Sequence, residues 1–267
     1  MTEQYGTVER VERLSSSMVR VVFGGPGLDG FVDAAETDRY VNARFVPDDA
    51  LYSVPFTDDD LAEVPADQRP RARRFTVRRW DEAQRKLTID FVAHGDVGYA
   101  GRWAQRAQVG DRLQMSGPGG SYRPDPSADW HLMVGDESAL PAIAASLEVL
   151  PAHARGVALV VVDRPENELA VASPADVDLR WLHRSSAAEP ETLLVDEVCR
   201  LDWPEGSVDV FVHGEAAEVR AVRRHLVADR AIDVGGASIS PYWRRGKTDE
   251  AWREIKKQWL AEQAADV

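Results

Sequence analysis

The segment RARRFTVRRWDEAQRKLTIDFVAHGDVGYAGRW, residues 71–103, contains the clearest structural signals of the chain. Within it, Arg74–Trp80 and Leu87–Ala93 show the period-two alternation of half-buried β-strands, and turn-forming residues separate them. After the second run, a turn of small residues leads into a short helix that we expect to begin near Arg102. The segment therefore predicts two neighbouring strands, then a turn and a helix.

The same alternation recurs through the N-terminal half, up to about residue 120. Six strands are predicted there: Gly6–Val11, Met18–Phe23, Tyr40–Val46, Arg74–Trp80, Leu87–Ala93 and Arg112–Ser116. Six short strands without helical periodicity favour a small antiparallel barrel. The acidic segment Asp48–Pro70 has three prolines and no period, and it is either a functional excursion or a mobile connection.

From Trp130 onward, apolar runs alternate with helical stretches, as in WHLMVG before ESALPAIAASLEVL and VDVFVHG before EAAEVRAVRRHLVAD. Continuous apolar runs such as VALVVV are typical of strands covered on both faces, so this half predicts a parallel α/β sheet. A last helix is expected over Thr248–Ala264. We therefore predict an all-β domain over residues 1–126 and an α/β domain over residues 127–267 that ends in this helix.

The charge of the chain is strongly negative but unevenly distributed. The 267 residues include 45 acidic and 32 basic side chains, which give a net charge of −13 and a pI of about 4.9. This balance argues against nucleic acid as a partner, because nucleic-acid binding needs a contiguous basic surface. Residues 67–130, however, carry +4 and residues 211–267 carry +1. Local anion sites are therefore possible in these two segments, although solvated charged faces would give the same counts.

The compartment is expected to be the cytoplasm. Cys199 is the only cysteine, so an internal disulfide is impossible, and the polar start MTEQYGTVER is not a secretory signal. The longest apolar run, Val157–Val162, is too short to span a bilayer.

Several catalytic and binding motifs are rejected. The G-x-G-x-x-G pattern at Gly25, Gly27 and Gly30 lies in the predicted barrel and lacks a following helix, so a turn is the better interpretation. The residues GPGG at 117–120 are likewise interpreted as a turn. No metal-ligand spacing is present, and Ser138 lacks the G-x-S-x-G context of a nucleophile.

The strand RARRFTVRR suits a flat aromatic ligand with a phosphate tail. Alternation places Arg73, Phe75 and Val77 on one face, and Thr76 lies on the other with its neighbouring arginines. A guanidinium binds phosphate and an aromatic ring offers a stacking surface. An arginine-rich exposed strand explains these residues equally well when they are taken alone.

A second phosphate-suited feature follows about twenty-five residues later. Gly98, Ala100 and Gly101 precede the short helix, and a small-residue turn at a helix N-terminus presents free N–H groups to a diphosphate. Two such features on neighbouring strands are how a barrel would hold a dinucleotide along its edge.

At this point six ordered blocks resemble the siderophore-interacting protein family. They are Arg73-x-Phe75-Thr76-Val77-Arg78, Asp90-Phe91-Val92-x-His94-Gly95, Gly98-x-Ala100-x-x-Trp103-Ala104, Gly110-Asp111 with Gly117-Pro118, Gly135-Asp136-Glu137-Ser138-Ala139-Leu140-Pro141-Ala142, and Tyr242-Trp243-Arg244-x-Gly246. The resemblance covers nearly the whole chain. It implies a cytoplasmic ferric-siderophore reductase, with an N-terminal antiparallel FAD-binding β-barrel and a C-terminal parallel α/β domain of the ferredoxin-NADP reductase-like fold.

The resemblance also implies site residues. Arg73 would contact the FAD phosphates, Phe75 would stack on the isoalloxazine, and Thr76 would hydrogen-bond near its N5 edge. The remaining implied cofactor residues are Val77, Val92, His94, Gly98, Ala100, Gly101, Trp103, Ser138, Ala139 and Trp243. No side chain is expected to act as an acid, base or metal ligand.

Two departures from the family pattern stand out. The family usually has tyrosine at the position of Phe75, and Gly-Pro-Ala-Ser where this chain has Gly98-Tyr99-Ala100-Gly101. Both changes remove a hydroxyl group while keeping the ring or the backbone amides. FAD affinity is therefore expected to be altered, but the site is expected to survive.

The electron donor is expected to be NAD(P)H or reduced ferredoxin. The turn after the first α/β strand contains Asp136 and Glu137, which would repel a nicotinamide-nucleotide diphosphate, so weak or absent NAD(P)H binding is predicted. His213 ends a predicted parallel strand, where it is either a ligand-facing or a buried histidine.

The ferric siderophore is expected to approach the C-terminal basic segment. Arg244, Arg245 and Lys247 are the predicted substrate-binding residues, and a helix-start turn with a solvated face is the alternative. We expect a monomer. The competing functions are a reductase of free flavin or another small acceptor, and a non-enzymatic siderophore carrier.

Overall fold

The computed structural model describes residues 4–93, 98–233 and 235–264, and the chain divides between Ser121 and Tyr122 into two units. This division lies five residues before the boundary expected from the sequence. Each unit has its own sheet and its own core.

The first unit is a seven-stranded antiparallel sheet with one helix. Its elements are β1 (Tyr5–Arg13), β2 (Met18–Gly24), β3 (Tyr40–Phe45), β4 (Arg71–Thr76), β5 (Arg79–Asp81), β6 (Lys86–Val92), α1 (Ala100–Arg106) and β7 (Arg112–Gly119). The strand order is β4-β3-β7-β1-β2-β6-β5. The predicted antiparallel all-β half is therefore confirmed.

The single strand predicted over Arg74–Trp80 is wrong, because the structure has two strands there. The N–H of Val77 donates to the carbonyl of Arg39 (2.7 Å), whereas the N–H of Arg78 donates to the carbonyl of Thr88 in β6 (2.9 Å). The chain thus leaves one outermost strand of the sheet, β4, and enters the other, β5, within two residues. This seam connects the two outermost strands of the sheet through the chain itself.

The residues GPGG at 117–120 are not a simple turn as expected, since β7 continues to Gly119. The register between β3 and β7 shifts between Tyr40 and Asn42, which is a β-bulge. Gly117 has φ +128°, and a Cβ atom there would lie 3.0 Å from the carbonyl oxygen of Tyr40. Only glycine fits this bulge without strain. By contrast, residues 26–28 form a tight 3₁₀ turn, as expected for the rejected glycine motif.

The excursion between β3 and β4 contains no helix or strand, and the structure describes all of it. Its anchor is Phe56, which is buried. The side-chain amide of Gln114 accepts from the Phe56 N–H (2.9 Å) and donates to the Phe56 carbonyl (2.7 Å). The guanidinium of Arg44 lies over the Phe56 ring at 4.8 Å. The excursion is therefore fixed to the barrel strands.

The second unit is a five-stranded parallel sheet with helices. Its elements are β8 (Trp130–Asp136), α2 (Leu140–Glu148), β9 (Arg155–Val162), β10 (Asp176–His183), α3 (Leu193–Cys199), β11 (Val208–Glu215), α4 (Ala216–Ala228), β12 (Ser238–Trp243) and α5 (Asp249–Ala264). Every residue of β8 is buried, as the continuous apolar runs predict. The predicted parallel α/β half is confirmed, and strand β12, which the sequence did not indicate, completes it.

The strand order is β10-β9-β8-β11-β12. Strands β9 and β10 lie on one side of β8, and β11 and β12 lie on the other, so the switch point of this parallel sheet is between β8 and β11. Open α/β sheets bind their ligands at the carboxyl ends of the strands beside such a switch point. Asp136 ends β8 and Glu215 ends β11, so these two carboxylates mark the place where a nucleotide would be expected in the second unit.

Candidate functional site

The first unit brings the two predicted phosphate-suited features together. Arg71 and Arg73 of β4 pair with Phe45 and Ala43 of β3, so they lie on the strand face that carries core residues. Their guanidinium carbons lie 5.8 Å and 5.9 Å from the centroid of the Tyr99 ring. Because Tyr99 immediately precedes α1, the arginine strand and the small-residue turn share one corner of the barrel.

The backbone at this corner is closely packed. Gly98 has φ +78°, a conformation that side chains rarely adopt. At Gly101, a Cβ atom would lie 3.2 Å from the carbonyl oxygen of Val92 and 3.3 Å from the Cα of Ala93. The first turn of α1 therefore packs directly against the end of β6, which holds the backbone of Ala100 and its neighbours in one position.

A cluster of four aromatic rings packs next to this corner. The Phe75 ring lies 4.6 Å from Phe91 and 6.0 Å from Phe45, and Trp103 lies 5.8 Å from both of these rings. Phe75 and Trp103 are partly buried, whereas Phe45 and Phe91 are fully buried. Phe75 and Trp103 thus each present part of an aromatic surface while their other contacts fix the rings.

The other implied residues of the first unit differ in accessibility. Thr76 retains 9% of its accessible surface, and Val77 retains none, so the Val77 side chain belongs to the core and only its backbone could face a ligand. Val92 is half-buried at the end of β6. His94 lies outside the described residues.

The second unit has a carboxylate at the centre of its switch point. Asp136 is 2% exposed. Its Oδ2 accepts from the Glu215 N–H (2.9 Å) and the Trp243 indole N–H (2.7 Å), and its Oδ1 accepts from the N–H (2.8 Å) and hydroxyl of Ser138. Ala139, which follows Ser138, is fully buried. The amides that would face a diphosphate at this turn are already bonded to the chain's own carboxylate.

The N-terminus of α4, on the other side of the switch point, is occupied in the same way. Glu215 is the N-cap, and its Oε2 accepts from the N–H groups of Ala217 and Glu218 (3.1 Å for Glu218). Its Oε1 accepts from the N–H of Arg245 (3.0 Å). Helix N-termini attract anions, and this one already holds an internal anion.

Two further buried acids, Glu137 and Glu218, lie in the same unit, and we call them, with Asp136 and Glu215, the acid cluster. Glu137 is 4% exposed and pairs with Arg184 (3.3 Å), and Glu218 is 3% exposed and accepts from Arg245 (2.8 Å). Burial is the main cause that raises the pKa of Glu218 to about 7. The acids Asp136 and Glu215 raise this pKa further, and the two arginines oppose the rise.

The predicted substrate-binding residues occupy different environments. The Arg245 guanidinium bonds to Glu191 (2.7 Å) as well as to Glu218, and Arg244 lies 3.7 Å from Glu215. Lys247 is exposed. The structure therefore places Arg245 within the acid cluster and leaves Lys247 on the surface.

His213 is buried, which favours the second of the two interpretations given for it. It is 4% exposed, its Nε2 is 2.9 Å from the Ser238 hydroxyl, and its ring stacks on Phe211 at 4.1 Å. Burial is the main cause that lowers the pKa of His213 to about 3, and the charge of Lys256 adds to it.

Sequence reasoning missed several residues of these sites. Arg71 lies two positions before Arg73, so the alternation of β4 could have indicated it. Tyr99 was noted only as a departure from the family pattern. Glu215 and Glu218 carried no local signal, because their role depends on strands and helices that are distant in sequence.

Two family models together match most of the chain. The siderophore-interacting FAD-binding domain matches residues 7–122, and the model described as siderophore-interacting protein matches residues 128–246.

Individual relatives also match almost end to end. The ferric vibriobactin reductase of Vibrio cholerae is 36% identical over 92% of this chain and 90% of its own. The NADPH-dependent ferric-chelate reductase of Escherichia coli is 31% identical over 89% and 91%. The crystal structure of the siderophore-interacting protein from Aeromonas hydrophila is 30% identical, with a TM-score of 0.83 over 98% and 100%.

The fold itself is more widely shared. Ferredoxin reductases and other FAD-binding reductase domains match at 12–13% identity with TM-scores of 0.61–0.65, which shows the fold alone. The ferredoxin-reductase-like fold class predicted from the resemblance is confirmed. Among the described residues, no helix is both long and apolar enough to cross a membrane.

Proposed function

The chain belongs to the siderophore-interacting protein family, and we propose that it is an FAD-dependent reductase of ferric siderophores. The observation that carries this proposal is the corner where Arg73, the Tyr99 ring and the first turn of α1 meet, within a unit that matches an FAD-binding domain. The relatives named above as ferric reductases support the substrate class.

The residues at the corner fit a flavin dinucleotide. The missing Cβ at Gly101 lets α1 approach β6 closely, and the positive φ of Gly98 turns the chain into the helix. Arg73 would neutralise phosphate charge there, and the turn at Gly98, Ala100 and Gly101 would surround the diphosphate. Trp103 would lie beside that turn.

The residues of β4 and β6 would orient the flavin ring system. Phe75 would stack on it, because its contacts with Phe45 and Phe91 hold the ring in place. The hydroxyl and N–H of Thr76 would bond near its N5 edge, while the Val77 backbone and Val92 would line the approach. His94 is assigned on the resemblance alone.

FAD, when bound, supplies the redox chemistry by accepting two electrons and delivering them singly to Fe(III). Oxygen-rich chelators hold Fe(II) less tightly than Fe(III), so reduction releases the metal. No side chain is assigned an acid–base role. The protein positions the flavin, and Ser138, Ala139 and Trp243 are assigned to the cofactor on the family resemblance alone.

We propose that NAD(P)H binds weakly and that reduced ferredoxin is an alternative donor. Asp136 and Glu215 occupy the switch point of the second unit. Their carboxylates accept hydrogen bonds from the backbone N–H groups that would otherwise bind a diphosphate. A nicotinamide nucleotide would have to displace these bonds and approach buried acids.

The ferric chelate, an anion in many forms, would be attracted by Arg244, Arg245 and Lys247. Lys247 is exposed, and Arg245 is exposed but already paired with two acids. We place the reaction in the cytoplasm on the single cysteine and the family resemblance, and we expect a monomer.

The test is to purify the protein and record its visible spectrum. NADH, NADPH or reduced ferredoxin is then added with a ferric siderophore and a chromogenic Fe(II) trap. Fe(II) formation with a yellow protein is the expected result. A colourless protein that FAD cannot reconstitute but that binds the chelate would instead be a carrier, and turnover of free flavin without Fe(II) would indicate a general flavin reductase.

A further inference from the structure

We propose that Arg71 binds the second phosphate of the FAD diphosphate and thereby selects FAD over FMN, with Tyr99 as the positioning residue. The inference rests on the proposed FAD binding at this corner and adds to it a residue that sequence reasoning did not identify.

Arg71 has an unused hydrogen-bond donor in a buried position. Its Nε is buried without a partner among the described residues, while its Nη2 donates to the Asp67 carbonyl at 3.2 Å. A buried donor without an acceptor is unfavourable, so an anion that supplies the acceptor would be bound favourably. The guanidinium fork is suited to phosphate oxygens.

The Tyr99 ring lies beside both guanidiniums. Arg71 lies 5.8 Å and Arg73 5.9 Å from its centroid, within the range of cation–π attraction. Both guanidiniums therefore lie at one corner beside the same ring, and two positive charges there match the two negative charges of a diphosphate.

The spacing of the two arginines favours adjacent phosphates. They are two residues apart on one face of β4, which separates their Cα atoms by about 6.5 Å. With Arg73 on the flavin-side phosphate, Arg71 would meet the next one along the chain of the ligand. FMN ends at its single phosphate, so it would gain little from Arg71.

The test measures dissociation constants of FAD and FMN with purified, flavin-free protein by flavin fluorescence. Arg71→Ala is expected to weaken FAD binding about 10- to 100-fold and FMN binding less than threefold. Arg71→Lys is expected to restore part of the loss. Arg79→Ala, which removes an arginine with a 72% exposed side chain from β5, is the matched control and should change neither constant by more than about twofold.

Tyr99 variants test the positioning role. Tyr99→Phe keeps the ring and should preserve the FAD-to-FMN ratio, whereas Tyr99→Leu should reduce it about as much as Arg71→Ala does. Thermal melting of each variant without flavin separates loss of fold from loss of binding.

The outcomes are distinct. Equal weakening of FAD and FMN, or no weakening, in a folded Arg71→Ala variant would overturn the inference while leaving FAD binding by the wild type intact. If the wild type binds neither flavin, the proposed function itself fails. A preserved ratio in Tyr99→Leu would remove Tyr99 from the positioning role.

Discussion

The two units carry side chains of opposite charge at the positions where each would be expected to bind a diphosphate. In the first unit, Arg71 and Arg73 flank one tyrosine ring, and Arg71 keeps a buried donor without an acceptor among the described residues. In the second unit, the amides at the switch point are bonded to Asp136 and Glu215. The first unit thus presents cationic side chains to a diphosphate, whereas the second unit places its own carboxylates where a diphosphate would be expected.

The strongest test of this contrast removes the internal anion. Asp136→Ala would leave the Ser138 and Glu215 amides and the Trp243 indole N–H without their acceptor. We expect a loss of about 3 kcal/mol or more in the free energy of unfolding, roughly 10 °C in Tm. Sulfate should recover part of this loss in the variant and not in the wild type. Asp178→Ala, on the exposed edge of β10, is the control. An unchanged Tm would show that Asp136 does not hold the switch point together.

The next test concerns the first unit. Arg73→Ala should weaken FAD binding about 10- to 100-fold, because it removes a charged hydrogen-bond donor from the phosphate corner. Flavin retention through gel filtration and the dissociation constant are the measurements, with Arg79→Ala as the control. Retention equal to that of the wild type would exclude Arg73 from the site and remove half of the comparison.

A third test uses the protonation of the second unit. The Glu218 carboxyl, with its pKa raised from 4.5 to about 7, contributes stability that is present below pH 4.5 and is lost as the pH rises toward 7. His213, with its pKa lowered from 6.5 to about 3, contributes stability that is present above pH 6.5 and is lost as the pH falls toward 3. Between pH 4.5 and 6.5 the two slopes oppose each other in the wild type.

The variant Glu218→Gln should uncover the His213 slope. Its unfolding free energy should rise with pH by on the order of 1 kcal/mol per pH unit between 4.5 and 6.5, while that of the wild type stays nearly flat. Urea unfolding at four pH values is the measurement. A flat profile in Glu218→Gln would mean that burial does not perturb these groups in opposite directions.

The smallest effect is expected at the surface. Lys247→Glu should raise the apparent KM for an anionic ferric chelate about two- to fivefold, and for a neutral chelate by less, because exposed charges act through screened long-range attraction. Repeating the assay at high salt should reduce the difference. Equal changes for both chelates would favour the alternative interpretation of this segment, a helix-start turn with a solvated face.

Much of this contrast could be predicted from the sequence, because it depends on local patterns. The alternation in RARRFTVRR placed Arg73 and Phe75 on one face. The acids in the turn after β8 indicated that this turn would repel a nucleotide diphosphate. The apolar runs also predicted the parallel sheet, since buried strands need no polar face.

The rest depended on contacts between distant residues. Arg71 and Tyr99 meet only because β4 and α1 are neighbours in the barrel, and the Arg245 partners come from the turn before α3 and from α4. The split of the predicted strand at Val77 follows from two hydrogen bonds to different strands, which no local alternation encodes. Strand β12 was missed because Pro241 interrupts its pattern, which is tolerated at the edge of a sheet.

The seam at Val77 and Arg78 has a consequence for the order in which the first unit opens. At this crossing the N–H of Val77 bonds to Arg39 and the N–H of Arg78 bonds to Thr88, next to the strand that carries Arg73 and Phe75. Amide protons at the seam should therefore exchange earlier than those of the central strands β1 and β2 in flavin-free protein. A dinucleotide bound along β4 would stabilise this crossing. Its binding would be measured as slower amide-proton exchange at Val77 and Arg78.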